Sequence, residues 1–143
     1  MSEPFPELKP GEVEVTDGDE LIWRNVNPNW IDNGELSSQA FRPTPKDLKQ
    51  LSGAREREVS AEDHFEEFTE KLELESSGVW AISAGEAKDA ALRCIFDAEA
   101  DSAPDPCPVG HTYIDYRGHG NSKIRKIGSS LRDLAEVRGC KFP

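Results

Sequence analysis

Two hydrophobic periods divide the chain. The period of two comes first. Val13 and Val15 flank Glu14, and Leu21, Ile22 and Trp23 follow a Thr-Asp-Gly-Asp segment. Asp-Gly between two β-prone runs predicts a hairpin. Along the second run, Leu21 and Trp23 fall on one strand face, and Ile22, Arg24 and Val26 on the other. "NVNPNWIDNGE" is rich in turn residues, with a tight reversal at Asn-Gly, and "LSSQAF" then predicts another strand.

The helical period begins at "TPKDLKQL", a predicted short helix with Thr44 as N-cap, Pro45 at its first position and Asp47 in its first turn. "SGAREREV" interrupts it. Ser60 caps a second helix whose apolar stripe is Ala61, Phe65, Phe68 and Leu72, with Glu62, Asp63, Glu66, Glu67 and Glu70 at the other positions. "GVWAIS" predicts a buried strand, "AGEAKDAAL" a short helix and "RCIFDAE" a strand. "ADSAPDPCPVG" is a loop, since three prolines exclude a helix or a central strand. After the strand "HTYIDYR", Asn121 or Ser122 is placed to cap a last helix. Its stripe is Ile124, Ile127, Leu131, Leu134 and Val137, and Gly139 is its stop. Phe65, Phe68 and Trp80 fit core positions.

These elements predict one compact α+β domain over 11–143, preceded by a proline-rich extended arm over 1–10. The sheet is expected to be mixed or mostly antiparallel, of about five strands, with helices packed mainly on one face. Length agrees, since 143 residues suit one domain with its own core. Charge adds a constraint. The net charge of −11 is unevenly spread: residues 117–143 hold seven Lys or Arg against Asp133 and Glu136, a net of +5, leaving −16 for residues 1–116. General nucleic-acid binding is therefore not expected, while a basic C-terminal patch is available to an anionic ligand or an acidic protein partner. No apolar run is long enough to span a membrane, and "MSEPFPELKPGE" has neither the basic nor the apolar region of a signal peptide, so a cytoplasmic location is expected.

The chain carries no P-loop, dinucleotide-binding fingerprint, HExxH, CxxC or GxSxG motif, and whether it is an enzyme is left open. Cys94, Cys107, His111 and Cys140 have ligand chemistry, but only Cys107-x3-His111 is closely spaced, so no metal site is expected. Three irregularly spaced cysteines also do not form a disulfide framework. His111 and Asp115 share a strand face about 13 Å apart, at about 3.3 Å per residue, too far to hold one small ion alone. His111, at a loop–strand junction, is the best titratable candidate. His64 is expected to be partly covered at the surface and His119 to lie in a solvated turn.

Arg24 could fork onto a phosphate or carboxylate, Ser37 and Ser38 could add hydroxyl contacts, and Trp23 or Trp30 could stack on a base. The alternative for Arg24 is a strand-end charge paired with one of the many acids. An arginine on a first strand, serines on a second and a glutamate before a later one are weakly similar to the Arg-Ser-Glu class of ADP-ribosyltransferases, through Arg24, Ser37 or Ser38, and Glu73 or Glu75. That resemblance implies NAD bound by the arginine and serine, with the glutamate activating the ribose. Two functional readings follow. In the first, the chain is a non-catalytic interaction or accessory module that needs no cofactor, with Trp30 and the basic residues Lys123, Arg125 and Lys126 as contacts. In the second, it binds a nucleotide or NAD, with Arg24, Ser37, Ser38 and His111 at one pocket and Glu75 as a further catalytic candidate.

Overall fold

The computed structural model describes residues 5–143; positions 1–4 of the expected N-terminal arm lie outside the described residues. The chain builds one six-stranded sheet and a two-stranded ribbon. In chain order the sheet strands are β1 (Val13–Glu14), β2 (Leu21–Asn25), β5 (Gln50–Arg55), β6 (Val79–Ser83), β7 (Arg93–Phe96) and β8 (His111–Asp115), and the ribbon is β3 (Ile31–Asp32) with β4 (Glu35–Leu36). The sheet order is β1-β7-β8-β5-β2-β6, antiparallel at every pairing. The helices are α1 (Ala61–Glu66), α2 (Ala84–Asp89) and α3 (Asn121–Arg138). Among the described residues no helix is long and apolar enough to cross a membrane.

Alternation along the strands sends side chains to two cores. Ile22, Leu51, Ile82, Cys94 and Ile114 pack with Ile124, Ile127, Leu131 and Ala135 of α3 and with Ala84 and Ala87 of α2. The opposite face is smaller: Trp23, Ala54, Val79 and Ala81 meet Ala61 and Phe65 of α1. Most of the helical mass therefore lies on one face, as the patterning implied. Local signals act as expected at two ends: Ser60 accepts from the Asp63 amide, and α3 stops at Gly139, whose φ is 89°. At the start of α2, Ser83 and Glu86 form a capping box that the patterning did not predict.

Five local expectations change. The hairpin through Asp17–Gly18 does not form. β1 pairs with β7, three strands away from β2, because Gly18 packs against the first turn of α2, where its carbonyl accepts from the Gly85 amide. "LSSQAF" gives the short β4 and then a 3-10 turn over Ser38–Phe41, with Ser37 as its cap. "TPKDLKQL" shortens to a 3-10 turn over Pro45–Asp47, with Leu48 and Lys49 at positive φ. The supposed interruption is β5, a central strand. Last, α3 begins after Gly120, without a side-chain cap.

The candidate functional site

The site is set by a split between β2 and β5. Their registered pairing covers Ile22–Arg55 and Trp23–Ala54. A Cβ on Gly53 would lie 2.6 Å from the Trp23 carbonyl oxygen, so only glycine allows the strands to approach there. Beyond this point the Arg24 side chain occupies the gap. Its Nη1 donates to the Ser52 carbonyl at 2.7 Å and its Nε to that of Ala40 at 2.5 Å. Trp30, placed by a 3-10 turn that Asn27 caps, brings its ring within 5.2 Å of the guanidinium carbon. Burial lowers the Arg24 pKa to about 10, an effect that Asp47 and Tyr116 oppose, so Arg24 stays charged at neutral pH. It is held by carbonyls and an aromatic ring rather than by an acid, unlike the strand-end ion pair weighed as its alternative.

Around Arg24 opens a cleft of about 460 Å³. One wall is the segment carrying Arg42, Lys46 and Asp47. A second is Phe68, Leu72 and Leu74, and a third is the loop prolines Pro104, Pro106 and Pro108. The lining holds three cationic side chains and a single acid, inside a chain of net charge −11. Phe68 is therefore not core. The helical stripe breaks where α1 gives way to a π turn over Glu67–Lys71, and Phe68 is carried to the cleft.

His111 and His64 line the same cleft. His111 is buried at the start of β8. Its Nδ1 lies 2.6 Å from Asp97 Oδ1 and its Nε2 3.2 Å from Ser52 Oγ. His64 is buried too, contrary to expectation. Its Nδ1 has no hydrogen-bond partner among the described residues. Burial, with the charges of His111 and Arg24, depresses its pKa to about 4. The imidazole is therefore neutral at neutral pH. His119, expected in solvent, is buried, with Nε2 donating to the Ala91 carbonyl at 2.8 Å.

The remaining candidates lie elsewhere. Ser37 Oγ accepts from the Gln39 amide, and Ser38 sits against α3 beside Gly128. Neither lines the cleft, and neither do Glu73 and Glu75, which are exposed. Lys123, Arg125 and Lys126 are exposed on α3. Asp115 shares the strand face of His111 but is taken up by arginines. Burial opposes its charge, yet hydrogen bonds from Arg117 and Arg93 hold its carboxyl below the usual range. Cys94 is buried, and burial pushes its thiol up to about 12. Among the described residues no three His, Cys, Asp or Glu side chains gather into a ligand set.

Ser52, Asp97, Arg42 and Lys46 carry no mark in the sequence, and His64 reads there as a surface residue. Ser52 lies in a segment whose residues read as a break, and a separation of 59 positions from His111 carries no local signal. Comparisons of the chain with protein families, with curated proteins and with solved structures found no match.

Proposed function

We propose that this cleft binds an anionic small molecule of the nucleotide class. The observation that supports it is that Arg24, Trp30 and His111 line one cleft in which cations outnumber acids three to one. Arg42 and Lys46 supply charge for a phosphate, and Trp30 and Phe68 supply flat apolar surface for a ring. Ser37, Ser38 and Glu75 lie off the cleft, so the reading stands on Arg24, Trp30 and His111 and not on the Arg-Ser-Glu resemblance. A cytoplasmic site of action belongs to the same reading.

Thermal denaturation with NAD and with mononucleotides tests it. A ligand at 100 times its Kd raises stability by about 2.7 kcal/mol and so raises Tm. Arg42→Ala and Lys46→Ala are expected to reduce the shift without loss of fold, because neither side chain bonds the sheet. Arg24→Ala should abolish it, with a fall in basal Tm as well. If neither NAD nor any mononucleotide moves the wild-type Tm at millimolar concentration, the reading is wrong.

The exposed Lys123, Arg125 and Lys126 on α3 favour a second reading, an accessory module that meets an acidic protein partner. Charge reversal at all three should then abolish partner capture from lysate. A chain that enriches nothing counts against it.

A further inference from the structure

Ser52, His111 and Asp97 form a hydrogen-bonded line from the cleft into the protein. The register of β5 on β8 sets Ser52 opposite Tyr113 and Ala54 opposite His111, so Ser52 and His111 are diagonal neighbours on one sheet face. Ala54 leaves room for the imidazole between them. Asp97 directly follows β7, and its amide donates to the His111 carbonyl at 3.3 Å. Its carboxylate lies 2.6 Å from His111 Nδ1. A carboxylate there fixes the proton on Nδ1 and leaves the Nε2 lone pair for the Ser52 hydroxyl, 3.2 Å away. Ser52 is exposed to the cleft, whereas His111 and Asp97 are buried behind it. The Arg24 guanidinium lines the same cleft and donates to the Ser52 carbonyl at 2.7 Å.

We propose that Ser52 is a nucleophile, with His111 as its general base and Asp97 as the positioning residue, and that the cleft cleaves an ester or thioester bearing a negative charge. The negative charge of the substrate rests on the reading of the cleft given above; the nucleophile does not. Ser52 Oγ bonds to the acyl carbon as its proton passes to His111 Nε2. The carbonyl electrons move onto oxygen and return as the bond to the leaving oxygen or sulfur breaks. The leaving group takes the proton from His111. Water then attacks the acyl-serine, gives a proton to His111, and releases the acid as Ser52 Oγ recovers that proton. The balance is ester plus water giving acid plus alcohol, or thiol for a thioester.

Diisopropyl fluorophosphate on the native full chain tests this without a known substrate. Ser52 Oγ displaces fluoride at phosphorus, and His111 takes the proton. The expected result is one adduct per chain, mapped by mass spectrometry to Ser52. It should be absent from Ser52→Ala and from urea-unfolded protein, and slowed about 10²-fold or more in His111→Gln. A folded wild type that takes no adduct, or labelling elsewhere that persists in Ser52→Ala, overturns the proposal. A nucleotide-induced Tm shift without any adduct removes the nucleophile and leaves the binding reading standing. An adduct at Ser52 without a nucleotide shift does the reverse.

Discussion

His64 sits on a helix crowded with glutamates, yet its ring turns inward to the cleft. The capping serine at Ser60 and the stripe through Ala61 and Phe65 fix the rotation of α1, and that rotation buries position 64. The cost is read in pH. The folded chain holds the His64 pKa near 4 against an ordinary 6.5, so the unfolded chain binds a proton that the folded chain refuses. Stability from this group is complete above pH 6.5 and declines as pH falls from 6.5 to 4, by roughly 3 kcal/mol in all. Urea titrations across that window should show a falling midpoint for the wild type and a much flatter one for His64→Gln. Equal falls in both would mean that the slope comes from other groups. Arg24 was legible as an anomaly in its strand, and its face was read correctly. Its partners were not, because the carbonyls of Ala40 and Ser52 have no side-chain signature in a sequence.

Elements were most legible where many residues repeat one message. The buried run of β6, the Ala-rich α2 and the first part of the α3 stripe (Ile124, Ile127 and Leu131) stand where the sequence put them, whereas Leu134 and Val137 of the same stripe are exposed and Ala135 takes the buried position. β5 was missed because Ser52 and Gly53 carry turn-like chemistry inside a central strand. Gly53 is there for close approach to the Trp23 carbonyl, a demand that arises only once β2 is beside it. Gly53→Ala should therefore destabilise the fold by about 1–3 kcal/mol through forced separation of β2 and β5. Ser52→Ala, one position away on the cleft side, loses only its hydrogen bond to His111 and should cost less, about 1 kcal/mol. Urea midpoints of the two variants compare them directly, and equal midpoints would mean that the strands part without strain. The failed hairpin has the same origin. Asp17–Gly18 is a competent turn, but docking on α2 outweighs a local reversal.

At the scale of the molecule, the charge distribution sets the expected behaviour of the cleft. The net −11 repels anions at long range, and a cleft rich in Arg and Lys attracts them locally. Added salt screens both. With contact charges dominant, a nucleotide-induced Tm shift should shrink as ionic strength rises from roughly 0.05 to 0.5 M, where the Debye length falls to a few ångströms. An undiminished shift would assign the binding to stacking on Trp30 and Phe68 instead. The sequence alone determined the α+β class, the Ser60 cap of α1, the Gly139 stop of α3 and the alternating faces of most strands, because each of these is written in local period and capping chemistry. Only the tertiary structure decided the strand order, the burial of His64 and His119, and the meeting of Arg24, Ser52, Asp97 and His111. These depend on which strands pair and where they part. Pairing is settled by packing between residues far apart in the chain, and a single sequence carries no local mark of it.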